Sequence, residues 1–327
     1  MSDARALVRR VYAAMRSGRA IDQQPFGWSN DFFKGADGTV YIPFTLTIDR
    51  ARLGPPMAVL YVLVTPRLGV SDRSGTRPTG PRTLEPEVLQ GPPPRPIAYE
   101  AIYSIDLVAA GGQGSDSFRV RRAFALEPGE YEVYAALGSR SRAGAETSGS
   151  PEPVDPIDPL MIKQALSVPD LWTAGLATST VVLVESVEPI EAPRLADPSI
   201  VDPYVLGTTR ITPAADAEFQ STEQLTVSFR VYNTGLTPNR QPDVTVDYLL
   251  HQRHTDGVTY LGRTAPQEFN AQTQGDFDID AGHEPVFIQA IPLETLVPGA
   301  YRLEIQVNDN TNGASVARHV DFTVRGS

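Results

Sequence analysis

Apolar and polar residues alternate with a period of two along most of this chain. In TVYIPFTLTI (39–48), Val40, Ile42, Phe44, Leu46 and Ile48 alternate with Thr39, Tyr41, Pro43, Thr45 and Thr47. That spacing puts one face of a β-strand in a core and the other in water. Pro43 lacks an N–H, so this strand is expected at a sheet edge or with a bulge. MAVLYVLVT (57–65) is apolar on both faces and reads as a central strand. Strands are also expected at 98–108, 117–126 and 161–168. Further on, Leu225, Val227, Phe229 and Val231 alternate with polar residues, as do Val244, Val246, Tyr248 and Leu250. Tyr301, Leu303, Ile305 and Val307 repeat the pattern, and Val316, Val320, Phe322 and Val324 carry it around Arg318. NDNTNG (308–313) is rich in residues that tolerate positive φ and predicts a hairpin turn. Helical spacing appears at residues 3–17, where Leu7, Val8, Val11, Tyr12 and Met15 share a face and Arg5, Arg9 and Arg16 lie elsewhere. Such a helix ordinarily docks on its own domain; a basic amphipathic helix can also lie on a membrane.

The stretch Leu-x-Pro-Gly-x-Tyr occurs twice, at 126–131 and at 296–301, each time before an alternating run. Proline fixes φ, glycine turns the chain and leucine plugs the end of a core. The rings of Tyr131 and Tyr301 are expected to bury, with each hydroxyl on nearby backbone. This resembles the tyrosine corner of immunoglobulin-like sandwiches, at the entry to a strand crossing between sheets. The fold class expected is therefore all-β: two tandem immunoglobulin-like β-sandwich domains with a short N-terminal helix. Residues 1–36 form the helix and lead-in, 37–170 the first sandwich, 171–202 a linker with one strand, and 203–327 the second sandwich. A single large jelly roll is the rival architecture. The linker strand, STVVLVESV (179–187), is expected to pair within the chain; pairing with another copy is the alternative. Residues 66–97 and 138–160 form long loops, which are functional or mobile when they occur inside a domain. PPPRP within the first is either a polyproline II ligand or an extended surface loop.

Composition narrows the function classes. The chain of 327 residues carries a net charge of −11, with 15 acidic residues against 8 basic in 203–327. An acidic surface repels polyphosphate, so nucleic acid is not an expected partner. No cysteine is present, which excludes disulfides and thiolate chemistry and leaves the compartment open. No apolar run is long enough to span a bilayer, and the first twenty residues lack the apolar core of a signal peptide. Only Lys34 and Lys163 are lysines, which reads as coding bias.

Candidate chemistry is sparse. His251 and His254 are three apart at the end of a predicted strand, and His283 and His319 stand alone; all four read as surface histidines. Asp276, Asp278 and Asp280 alternate in DFDIDAGHEP. A calcium loop of the EF-hand type needs Gly at position 281 and Glu at 287, where Ala281 and Phe287 stand. The three aspartates remain weak calcium candidates, with a solvated acidic strand end as the alternative, and NDNTNG is a weaker one still. No nucleophile elbow or phosphate-binding loop is written. GGQG (111–114) reads as a turn. No other cofactor is expected.

WSNDFFKGADGTVYIPFTL, VPDLW, LGTTRITPAADAEFQSTEQLTVSFRVYN, PQEFNAQT and PGAYRLEIQVND together resemble uncharacterised secreted bacterial proteins with tandem immunoglobulin-like, fibronectin-like modules. Similar modules accompany von Willebrand A-like or GWxTD domains in larger chains; GWSND (27–31) misses the latter motif at Asn30. The resemblance implies export and an extracytoplasmic location, and transfers no catalytic residue. The function expected is a non-catalytic extracytoplasmic interaction or structural module, with a protein partner or self-assembly through edge-strand pairing. The alternative is a hydrolase, or an accessory domain of a secreted enzyme, with its site near the 66–97 loop.

Overall fold

The alternating segments form strands and the one stretch of helical spacing forms the helix. The computed structural model describes residues 2–17, 25–52, 57–67, 96–107, 117–139, 159–173, 175–190, 202–206 and 209–326. The helix α1 (Ser2–Ser17) precedes β1 (Gly27–Asn30), β2 (Phe33–Lys34), β3 (Val40–Asp49), β4 (Met57–Pro66), β5 (Tyr99–Asp106), β6 (Ser117–Leu126), β7 (Gly129–Ser139) and β8 (Leu160–Val168). Then come β9 (Ala177–Thr178), β10 (Val182–Pro189), β11 (Val205–Leu206), β12 (Thr209–Pro213), β13 (Glu218–Gln220) and β14 (Gln224–Tyr232). The chain ends with β15 (Val244–His254), β16 (Gly257–Arg263), β17 (Gln267–Phe269), β18 (Val286–Pro292), β19 (Gly299–Asp309) and β20 (Ser315–Arg325). The described residues are all-β apart from the N-terminal helix and one turn of 3-10 helix at Arg50–Arg52 between β3 and β4. Most of the 66–97 loop, most of 138–160 and GGQG lie outside the described residues.

By internal contacts the chain divides into two compact units that interleave in sequence. One comprises Met1–Ser29, Thr45–Val120 and Pro128–Val168; the other comprises Asn30–Phe44, Arg121–Glu127 and Pro169–Ser327. The division falls inside β3 and β6, whereas the sequence pattern suggested contiguous blocks. Pro43 marks a local irregularity. β3 pairs with β1, β2 and β6, so it is not an edge strand. Asp31 N–H donates to the Pro43 carbonyl at 2.9 Å, proline has no N–H to return, and the neighbouring strand breaks there into β1 and β2.

In the first unit the sheet runs β5-β4-β7-β8. The interior strand β4 is buried on both faces, as its unbroken apolar run requires: Tyr61 and Leu63 on one side, Leu60, Val62 and Val64 on the other. Helix α1 lays Leu7 and Val11 on Tyr61, Leu63, Tyr134 and Ala136, with Val8, Tyr12 and Met15 at the rim. Burying each of those two aliphatic side chains contributes about 1.5–3 kcal/mol. Gly138 permits the approach, since a β-carbon there would lie 3.3 Å from the Leu7 side chain. The apolar face of α1 is thus committed to its own unit. Among the described residues no helix is long and apolar enough to cross a membrane.

The second unit is a sandwich. Its sheets run β11-β12-β10-β14-β18, with β9 on β14, and β13-β20-β19-β15-β16, with β17 on β15. Leu225, Val227, Phe229, Phe287 and Ile291 of the first sheet meet Val244, Val246, Tyr248, Leu303, Ile305, Val307 and Phe322 of the second in one core. Phe229 and Phe287 stack with centroids 5.3 Å apart. Arg318, which breaks the apolar alternation of β20, donates from Nε to Thr178 Oγ1 at 3.0 Å. Both corner tyrosines are buried, Tyr131 and Tyr301 alike, and the Tyr301 hydroxyl donates to the Val297 carbonyl at 2.6 Å. The strands after the corners, β7 and β19, each stay within one sheet. The passage between sheets happens in the corner itself, from β6 to β7 and from β18 to β19. The strand expected at 179–187 forms as β10, three residues later at its start (Val182–Pro189), and pairs with β12 and β14, so it is used inside the chain.

Candidate functional site

The β11-β12-β10-β14-β18 sheet turns its inner face to the core, and segment 30–44 covers part of its outer face. Phe33 and Tyr41 pack with Val182, Val184, Val187, Tyr204 and Ile211. Hydrogen bonds fasten this strap. Phe32 N–H donates to Thr180 Oγ1 at 2.8 Å, and Thr180 N–H returns a bond to the Phe32 carbonyl at 3.0 Å. Lys34 N–H reaches the Tyr232 hydroxyl at 3.2 Å, Trp172 Nε1 donates to the Thr39 carbonyl at 2.7 Å, and the Tyr41 hydroxyl donates to the Pro203 carbonyl at 3.0 Å. Lys34 Nζ stands 4.3 Å from the Trp172 ring centroid and donates to Asn233 Oδ1 at 3.2 Å. Lys163, the other lysine, lies over the Tyr134 ring. Both lysines therefore face an aromatic quadrupole.

One acid is enclosed by this packing. The Tyr204 hydroxyl donates to Asp31 Oδ2 at 2.5 Å. Removal from water pushes the Asp31 carboxyl up to about 6 from its ordinary 3.8, and the Tyr204 bond only partly offsets this. Burial likewise raises the Tyr41 phenol to about 12, with the Asp202 charge adding to the effect.

Where the strap ends, β18 is left open. It pairs along its whole length with β14 and, among the described residues, with no other strand. Val231 N–H donates to the Pro285 carbonyl and Leu293 N–H to the Glu223 carbonyl. Hydrogen-bonded pairs alternate along an antiparallel ladder, so Phe287, Gln289 and Ile291 bond toward β14. Val286, Ile288 and Ala290 therefore aim their N–H and C=O groups away from the sheet. Their side chains are exposed as well, Val286 at 39% and Ile288 at 37%. Gln289 Nε2 occupies one of the outward acceptors, the Ala290 carbonyl, at 2.9 Å. Val286 and Ile288 also line a depression of about 90 Å³ shared with Phe33, Ile211, Ser228 and Arg230. Small-molecule sites run to several hundred cubic ångströms, so this one takes a side chain at most.

Edges are ordinarily guarded by charge, bulges, proline or shortness. The first unit's edge strands carry Glu100 and Asp106 on β5 and Lys163 on β8. β16 exposes Val258, Tyr260 and Leu261, but it carries Arg263 and a bulge where the register shifts opposite Leu250 and His251. β11 and β13 are two and three residues long. β18 has seven residues, no charge and a proline only at its end. The sequence pattern did not single it out. Its signal is VFIQAI (286–291) between Pro285 and Pro292: a short run, apolar on both faces but for Gln289, set off by prolines.

Of the residues singled out by pattern, some have other partners and the rest are exposed. Asp280 receives both Nε and Nη2 of Arg240, at 3.1 and 2.5 Å. Asp278 Oδ1 accepts from Asp280 N–H at 2.9 Å, and Asp278 N–H donates to His283 Nδ1 at 3.1 Å. Asp276 is exposed. Among the described residues no group of three His, Asp or Glu side chains is gathered to hold a metal. In NDNTNG the buried Asp309 is a staple, accepting Gly235 N–H at 2.6 Å on Oδ2 and Thr311 N–H at 3.0 Å on Oδ1. His251 Nε2 lies 3.3 Å from Glu304 Oε2 and beneath Tyr260, more enclosed than a surface histidine. His254, His283 and His319 are exposed. GWSND begins as the strand β1.

No protein-family model matches the chain, and no curated protein matches it. Among solved structures, red sea bream transglutaminase is similar over 97% of this chain and 33% of its own, at 10% identity and a TM-score of 0.24. Trypsin-activated α2-macroglobulin from Escherichia coli is similar over 93% of this chain and 17% of its own, at 11% identity and a TM-score of 0.23. Salmonella α2-macroglobulin reacted with methylamine covers 94% and 17%, at 12% identity and a TM-score of 0.20. The chain spans a third or less of each, and likenesses this distant add nothing to the geometry above.

Proposed function

We propose that the protein is a non-catalytic, extracytoplasmic interaction module that takes up an extended segment of a protein partner along the free edge of β18. The observation that carries this reading is the uncharged edge itself: three residues, Val286, Ile288 and Ala290, present outward main-chain groups beside exposed apolar side chains. Main-chain bonds supply affinity in strand addition, and alternate side chains supply selectivity. The extracytoplasmic setting rests on the resemblance to exported sandwich proteins. The hydrolase reading has no specific observation in its favour.

Amide hydrogen exchange tests strand capture. An alternating Thr-Val peptide of about eight residues, added in excess, is expected to slow exchange at Val286, Ile288 and Ala290 and to leave the exposed strand β16 unchanged. Unaltered exchange at those three amides with millimolar peptide, in a chain that is monomeric, would overturn the reading.

A further inference from the structure

We infer that the strand received by β18 is β18 of a second copy, in an antiparallel pairing centred on Ile288. This rests on the strand-capture reading and names its partner. The register follows from the hydrogen-bonding pattern. Only residues whose main-chain groups point outward can form hydrogen-bonded pairs, and on this edge they are Val286, Ile288 and Ala290. A two-fold axis through Ile288 sets Val286 against Ala290 of the second copy and Ile288 against itself. Three pairs then exchange bonds, and each residue that needs a partner receives one. A one-residue shift would set outward groups against inward ones and lose the ladder.

The charges agree with a second copy as occupant. From Pro285 to Leu293 the chain carries no charged residue. In the Ile288-centred register Glu284 falls opposite Pro292, and Glu294 falls opposite Gly282. No like charges oppose one another, although the whole chain carries −11, and directly opposed like charges would destabilise the pairing. The side chains match as well: Val286 meets Ala290, and Ile288 meets Ile288, on the same outer face of the extended sheet. The Gln289 amide that holds the Ala290 carbonyl is displaced by a main-chain donor.

The absence of cysteine makes the register directly testable. In a hydrogen-bonded antiparallel pair the Cα atoms are about 5.5 Å apart, within the range a disulfide spans. Under mild oxidation Ile288→Cys is expected to form a covalent dimer. Val286→Cys alone does not, because its own copy lies four residues away, but Val286→Cys mixed with Ala290→Cys does. Val258→Cys, on the exposed strand β16, is the control. In sedimentation the native chain is expected to double in mass as concentration rises, and Ile288→Lys to remain a monomer with an unchanged melting temperature. Disulfide formation by Ile288→Cys no faster than by Val258→Cys, or a native chain that stays monomeric to millimolar concentration, overturns self-pairing. If the chain is monomeric while the Thr-Val peptide still protects the edge amides, self-pairing falls and strand capture stands. If neither occurs, both fall.

Discussion

Asp31 is an acid held where ionisation is unfavourable. Its carboxyl is pushed up to about 6 by loss of water, so between about pH 4 and 6 the folded chain binds more proton than the unfolded one. The stabilisation associated with that proton is complete below about pH 4 and is lost as pH rises through 6. The gap between 3.8 and about 6 amounts to roughly 3 kcal/mol. Asp31→Asn keeps an acceptor for the Tyr204 hydroxyl and carries no charge. It is expected to raise the unfolding free energy at pH 8 by about 1–3 kcal/mol and to leave it little changed at pH 4. Urea titrations at the two pH values check this; an equal effect at both would show that Asp31 ionises freely. Tyr301 gives a second residue-level expectation. Tyr301→Phe keeps the ring and removes the hydroxyl's bond to the Val297 carbonyl, so a loss of about 0.5–1.5 kcal/mol in the same assay is expected. No loss would mean that the hydroxyl is dispensable to the corner.

At the scale of elements, most strands that the sequence disclosed have one wet and one dry face; β4, apolar on both, was disclosed by its long unbroken apolar run. β14, β15 and β19 alternate, and each side chain reports its own surroundings. β18 does not alternate, because Phe287 and Ile291 fill the core while Val286, Ile288 and Ala290 are apolar and exposed. Hydrophobicity records what a residue is, not whether another strand lies beside it. The corners were legible because proline, glycine and tyrosine each have a local reason to be there. The strap was not, since Asp31 meets Tyr204 across 173 residues of chain and neither position carries a local sign of the other. The strap yields its own prediction. Lys34→Ala and Trp172→Leu remove the two ends of the ammonium–indole contact. Their coupling in a double-mutant cycle is expected at about 0.5–1 kcal/mol, measured by denaturation. Additive effects would assign the Trp172 contribution to its bond with the Thr39 carbonyl alone.

For the whole molecule, net charge sets the conditions under which association is seen. Two copies each carrying −11 repel at long range, and salt screens that repulsion over about 8–10 Å at physiological ionic strength. Raising salt from about 20 to 500 mM is therefore expected to shift the sedimentation profile toward dimer. A shift toward monomer would point to attraction between opposite charges at the interface, which β18 does not offer.

The interleaving of the two units also bears on inheritance. A gene cut near codon 171 would separate 30–44 and 121–127 from the body they belong to, leaving Val182, Val184 and Ile211 without the side chains that shelter them. The downstream half is thus no cassette. Recombination that shuffled it alone would deliver a sheet with a wet, greasy flank, and lineages carrying this architecture should pass both halves on together.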